Sequence, residues 1–195
     1  MQDSPDEPPF PPEGWHNQIS DGGELTARYT VRWQKQLLDP KWKGRADLQL
    51  IGEGSLGYHT NVATGAALRV GKIVSPWWQF SIEPVPAGIG IEPETGCRNA
   101  RNRGELYGWT GVMGRAWGYN VLLQGQFEDS IVTVPTDRLE RFVYDYSAGV
   151  TGGRCLRNHW HRLTLSFSRR SPEFDGPLRR YHSWGGIYYS FARQP

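Results

Sequence analysis

Hydrophobic and polar residues alternate with a period of two along seven stretches of the chain. In the first stretch, Tyr29, Val31 and Trp33 occupy odd positions, and Arg28 and Arg32 occupy even positions. Period-two alternation in a β-strand places one set of side chains on each face of the sheet. The pattern therefore predicts strands with one apolar face and one polar face.

Seven strands are predicted in this way. They cover residues 23–36, 45–57, 60–71, 105–119, 139–152, 159–169 and 180–191. A long loop rich in proline and glycine separates the third strand from the fourth. The chain also has 13% aromatic residues and 24 glycines, which suit a β-barrel better than a helical domain.

The fourth predicted strand has bulky residues and a charge on the same face. Tyr107, Trp109 and Trp117 alternate in phase with Arg115, whereas the opposite face holds small and aliphatic residues. Bulk alone would turn the aromatic face toward lipid. An arginine at the centre of a lipid-facing strand costs about 2–4 kcal/mol, so we expect Arg115 and these aromatic side chains to lie inside.

Several predicted polar faces carry arginine, which is unusual for the core of a small soluble protein. The arginines expected to face inward are Arg28, Arg32, Arg69, Arg115, Arg141 and Arg162. Polar side chains can instead line the interior of a barrel whose outside meets lipid. No run of about 18 apolar residues exists, which excludes a helical membrane protein. The predicted fold class is all-β, an antiparallel transmembrane β-barrel.

Charge and the ends of the chain refine this prediction. The 22 basic and 20 acidic residues nearly balance, so charge does not point to nucleic acid. Residues 1–13 read as a disordered, proline-rich tail with no secretory signal, and residues 14–195 as a partial barrel domain. Bacterial barrels use even strand numbers, so seven strands and the lack of a signal lead us to expect that N-terminal strands are missing.

The two cysteines, Cys97 and Cys155, form no CxxC pair. If the C-terminus is periplasmic, strand parity places both connections that carry them on the periplasmic side, where a disulfide can form. Two unpaired thiols remain the alternative. His159 and His161 share a strand face without a third ligand nearby in sequence, so no metal site is predicted. No GxSxG motif occurs, and Ser-His-Asp catalysis is not supported.

Several short strings carry a family resemblance. They are Gly14–Gln18 (GWHNQ), Gly65–Gly71 (GAALRVG), Arg115 followed by Asn120–Gly125 (NVLLQG), and Ser171–Gly176 (SPEFDG). In this order and spacing, residues 14–191 resemble the C-terminal portion of the outer-membrane lipid A 3-O-deacylase family, LpxR type. The last strand, with an aromatic near its end at Phe191, also resembles a barrel-assembly signal.

The resemblance implies a parent barrel of twelve strands in the outer membrane of a Gram-negative bacterium. It also implies calcium-dependent hydrolysis of the ester that holds the 3-O-acyl chain of lipid A. The expected partners are lipid A, or lipopolysaccharide, and outer-membrane lipids. A base that activates water and a cation that stabilises the oxyanion would supply such chemistry.

The family's catalytic residues do not carry over to this chain. Its Asn-Asp pair and its histidine precede the Gly-Trp string, where this chain has only residues 1–13 and no histidine. The implied calcium ligands are absent for the same reason, and the chain is expected to be inactive alone. The catalytic residues are thus unknown, with His16 as a weak candidate. The candidates for substrate binding are Trp15, Gln18, Arg69 and Arg115.

Two interpretations of the inward arginines remain open. They could attract the phosphates of lipid A, or they could form an internal ion network with acidic residues such as Glu53 and Asp145. Two other kinds of protein also remain. One is a non-enzymatic barrel that binds lipid or is purely structural. The other is a soluble lipocalin-like binder, in which the apolar faces would turn inward.

Overall fold

The computed structural model describes residues 27–38, 42, 44–82, 104–125, 133–156, 159–176 and 179–193. The strands are β1 (Arg28–Gln36), β2 (Ala46–Gly57), β3 (His59–Lys72), β4 (Glu105–Asn120), β5 (Phe142–Leu156), β6 (His159–Arg170) and β7 (His182–Arg193). One helical turn, α1 (Val121–Gln124), follows β4, and 3-10 turns lie at Trp77–Gln79 and Thr136–Arg138. The predicted tail, residues 1–13, lies outside the described residues. No described helix has the length and apolarity required to cross a membrane.

The seven strands form one antiparallel sheet in which each strand pairs with its neighbours in the chain. This confirms the predicted all-β, antiparallel fold class. Strand β5 differs from its prediction at both ends, since it begins at Phe142 instead of residue 139 and ends at Leu156 instead of residue 152. The 3-10 turn at Thr136–Arg138 and an isolated bridge between Leu139 and Phe174 replace the predicted start of that strand.

The two faces of the sheet have the predicted composition. One face, here the outer face, exposes apolar side chains from every strand, and Ile187 is 76% exposed. Its members include Tyr29, Val31, Leu56, Leu68, Val112, Tyr144, Leu165 and Phe167. The opposite, inner face buries polar and charged side chains, and Arg69 is only 1% exposed. A water-soluble core has the reverse distribution, so the structure confirms outward apolar and inward polar faces.

Strand β4 places its arginine on the inner face, as expected from the cost of a charge in lipid. Tyr107, Trp109 and Arg115 are all buried on the inner face, whereas Leu106 and Val112 are exposed on the outer face. The position of the arginine, and not the bulk of the aromatic residues, therefore identified the inner face of this strand.

The prediction that Arg141 faces inward stays a prediction. Arg141 is exposed and precedes the first residue of β5, and its guanidinium donates a hydrogen bond to the carbonyl oxygen of Gly118 at 3.2 Å. Strand alternation determines a side chain's face only within a strand, and β5 begins one residue later.

Residues 73–82, here the inner segment, lie against the inner face. Ile73, Phe80 and Ile82 are buried, and the ring of Phe80 packs on Trp109 with centroids 5.5 Å apart. The side-chain amide of Gln49 donates to the carbonyl of Trp77 at 3.2 Å. The predicted loop between β3 and β4 thus begins as a packed segment that supplies much of the apolar core.

Gly111 makes room for the inner segment. A Cβ atom at this position would lie 2.3 Å from Cγ2 of Ile82, whereas one at Gly108 would meet its nearest atom, the carbonyl oxygen of Gly149, only at 4.0 Å. We expect Gly111→Ala to lower the free energy of unfolding by about 1–3 kcal/mol through overpacking. Gly108→Ala is the matched control and should be near neutral. Urea unfolding followed by tryptophan fluorescence measures both, and equal effects would contradict this role of Gly111.

Candidate functional site

The inner face holds two groups of ion pairs at opposite ends of the sheet. One lies at the end that carries the hairpin between β2 and β3, here the β2–β3 end. The other lies at the end where β5 turns into β6, here the β5–β6 end. The antiparallel register brings these side chains together, because residues far apart in sequence face one another across neighbouring strands.

Arg115 connects the carboxylates at the β2–β3 end. Its Nη1 atom donates to Oε1 of Glu53 at 2.9 Å and to Oδ1 of Asn61 at 3.1 Å, and its Nη2 lies 3.4 Å from Oδ2 of Asp145. Arg32 also donates to Glu53, at 3.0 Å, and Arg170 donates to Asp145 at 2.5 Å. Charges this deeply buried require such pairing. The ion-network interpretation is therefore confirmed for Glu53 and Asp145.

An open cavity of about 340 Å³ lies beside this group. It is lined by Arg28, His59, Arg115, Trp117, Asn120, Leu122, Leu123, Arg170 and Glu173. A register shift between Thr60 and Asn61 leaves Gly118 as an extra residue in β4 next to Trp117. Bulges of this kind change the direction of nearby side chains, here at the wall of the cavity.

The β5–β6 end is closed by a second set of contacts. The guanidinium of Arg69 donates to Asp47 and to the hydroxyl of Ser75, and it lies over the rings of Phe80 and Tyr107 at 5.1 and 5.3 Å. Charge, hydrogen bonding and cation–π contact thus act on one buried group.

A second buried pair lies close by at the same end. Arg162 donates to Glu105 at 3.1 Å, and the other carboxylate oxygen of Glu105 accepts from the backbone N–H of Ser75 at 2.9 Å. Through Ser75, both pairs also hold the start of the inner segment against the sheet.

The structure separates the predicted site residues. Arg69 and Arg115 belong to different groups at opposite ends, and both are ion-paired. Their role in substrate binding stays a prediction. Trp15, His16 and Gln18 lie outside the described residues. Cys155 is disulfide-bonded, and since Cys97 also lies outside the described residues, their pairing stays a prediction.

The described residues do not fit the calcium ion that the resemblance implies. Nowhere in the described ranges do three His, Cys, Asp or Glu side chains group to hold a metal ion. The carboxylates near the cavity, those of Glu53, Asp145 and Glu173, are each paired with arginine. Calcium prefers six to eight oxygen ligands, so a dication here would have to displace guanidinium groups.

Comparison with known proteins identifies the family. A family model described as "Outer membrane protein LpxR" matches residues 10–193. The chain belongs to the LpxR family. LpxR from Salmonella typhimurium has the same fold, with a TM-score of 0.56 and 18% sequence identity over 92% of this chain. No curated protein matches the chain.

This chain spans about half the length of the Salmonella LpxR structure, since the match covers 55% of it. The family predicted from the short strings is confirmed. The expectation that this chain corresponds to the C-terminal part of LpxR stays a prediction. At 18% identity the structural match shows the shared fold, and residue roles are argued from the chain itself.

Two features of the cavity wall escaped the sequence analysis. His59 comes directly before the third predicted strand, residues 60–71, and belongs to none of the motifs. Trp117 is predicted only to lie on the inner face. The structure brings their rings to a centroid distance of 5.5 Å in an edge-on contact. The bulge that creates this arrangement has no clear signal in the sequence beyond Gly118 itself.

Proposed function

We propose that this chain is part of an outer-membrane lipid A 3-O-deacylase and forms part of the barrel wall. The observation that carries the proposal is the apolar outer face combined with buried ion pairs on the inner face. Apolar side chains facing outward gain nothing in water, but they match the hydrocarbon of a bilayer. Membership of the LpxR family supports lipid A, or lipopolysaccharide, as the partner.

The described residues offer little of the chemistry that ester hydrolysis needs. A base must activate water, and a donor or cation must stabilise the oxyanion. The carboxylates near the cavity are held in ion pairs by arginines, and His161 bonds to the hydroxyl of Tyr189 on the outer face at 2.6 Å. We therefore expect the 195 residues to be inactive when expressed alone.

Mass spectrometry of lipid A tests this expectation. The chain is exported to the outer membrane of a Gram-negative host by an added signal sequence, and LpxR from Salmonella serves as the active control. We expect the control alone to remove one 3-O-acyl group. Loss of that group with the 195 residues alone would overturn the inactivity proposal. Heat-modifiable gel mobility shows that the chain is folded, so that an unchanged lipid A supports the proposal.

A chimera separates the deacylase proposal from the non-enzymatic alternative. In it, this chain replaces the matching part of Salmonella LpxR, whose remaining segment supplies the rest of the barrel. A folded chimera that removes the 3-O-acyl chain supports the proposal. A folded but inactive chimera favours a non-enzymatic barrel, which the fully paired carboxylates near the cavity also fit. A lipocalin-like binder would need its apolar faces inside, opposite to the structure.

A further inference from the structure

The open cavity at the β2–β3 end presents hydrogen-bond donors that the protein itself does not use. We propose that this cavity, between Arg28, His59 and Trp117, binds a phosphate group. The proposal does not depend on the proposed function. It rests on the donors, the charge and the shape of the cavity.

Within the part of the chain that the structure describes, two polar ring atoms of the cavity wall are buried without a partner. They are Nε1 of Trp117 and Nε2 of His59. The indole N–H can only donate, so it needs an acceptor. A buried donor left unsatisfied costs about 1–3 kcal/mol, and an oxygen of a bound ligand would remove that cost.

A third unused donor lies just behind the cavity wall. Asn61 is 2% exposed, its Oδ1 atom accepts from Arg115, and its Nδ2 atom has no partner. The unsatisfied groups that can be assigned around the cavity are therefore mainly donors, which indicates a ligand rich in acceptors.

The charge around the cavity also favours an anion. Four guanidinium groups face three carboxylates there, namely Arg28, Arg32, Arg115 and Arg170 against Glu53, Asp145 and Glu173. Arg28 has the longest of these ion pairs, 3.5 Å from its Nη2 to Glu53, and its side chain is 30% exposed, although its Nε donates to the hydroxyl of Ser55 at 2.6 Å. Its planar fork can turn toward a phosphate, for which arginine geometry is well suited.

The size and walls of the cavity fit a small phosphorylated ligand. A volume of about 340 Å³ lies at the lower end of the range for small-molecule sites. Leu122 and Leu123 add an apolar part to the lining, so a phosphate carrying a short carbon-containing group would fit. Such a group could come from a soluble phosphate ester or from a lipid headgroup, and both present the same chemistry to the cavity.

Proton–nitrogen NMR of the indole N–H groups tests the proposal in the folded 195-residue chain in neutral detergent. Trp117→Phe assigns the Trp117 signal. One arm adds inorganic phosphate or glycerol 3-phosphate, and the other adds phosphatidic acid to the micelles. Sodium chloride at equal ionic strength serves as reference. We expect a saturable shift of the Trp117 signal that chloride does not produce.

Matched variants show whether the binding is local. Arg28→Gln should weaken binding at least tenfold, because a charged hydrogen bond to phosphate is lost. Arg179→Gln is the control, since Arg179 is exposed and pairs with Glu140 and Asp175 outside the cavity. A shift with the soluble esters alone identifies a soluble ligand, and a shift with phosphatidic acid alone identifies a lipid headgroup. No saturable shift in either arm, or equal weakening by both variants, would overturn the proposal.

Discussion

Replacing Arg69 by methionine is expected to lower the free energy of unfolding by about 3–5 kcal/mol. Arg69 provides the charge that Asp47 pairs with, and both side chains are almost fully buried. Without the guanidinium, Asp47 keeps a buried negative charge that has lost its partner. The cation–π contacts with the rings of Phe80 and Tyr107 disappear as well.

Urea unfolding in lipid vesicles, followed by tryptophan fluorescence, measures this effect. The double variant Asp47→Asn with Arg69→Met should recover at least half of the loss, because the second substitution removes the unpaired charge. Arg179→Met is the control, and its exposed ion pairs should contribute at most about 1 kcal/mol. If the double variant is as unstable as the sum of both single variants, the buried pair is not the cause.

Replacing Leu165 by arginine is expected to cost about 2–4 kcal/mol when the chain is folded in a bilayer. Leu165 lies in the middle of β6, between Val150 and Ile187 on the outer face, and it is 50% exposed. In water, a half-exposed leucine can become arginine at a cost within about 0.5 kcal/mol. The size of the effect therefore reports what the outer face contacts.

Leu156→Arg is the matched control for this substitution. Leu156 has nearly the same exposure, 48%, but it is the last residue of β5. Near the membrane interface the cost of arginine falls to about 0–1 kcal/mol. Unfolding from vesicles should thus separate the two variants by about 2 kcal/mol. Equal and small costs would show that the outer face meets water, which would contradict the barrel-wall proposal.

The faces of the strands could be predicted because the relevant signal is local and repeated. Each side chain in a strand points opposite to that of its neighbour, so the positions of Arg28 and Tyr29 alone predict that they lie on opposite faces. The family was also predictable, from short strings such as that of Gly65–Gly71 in their order along the chain. Arg141 marks the limit of this signal, because β5 begins only at Phe142, after the alternation in the sequence has started.

The contents of the inner face could not be predicted in the same way. The inner segment contains a proline, Pro76, and follows a strand, which is typical of an external loop. Its burial depends on Gly111, which lies 29 positions beyond Ile82 in the chain and has no side chain to obstruct it. The cavity depends on a bulge in β4, and periodicity carries no information about a single extra residue.

The amino-acid sequence by itself determined the strands, the identity of their two faces and the family, because each depends on residues close together in the chain. The tertiary structure alone decided which charges meet, as with Arg115 between Glu53 and Asp145, and where donors remain unused, as at Trp117. Pairing between distant strands sets these contacts, and the cost of burying an isolated charge or N–H group makes them decisive.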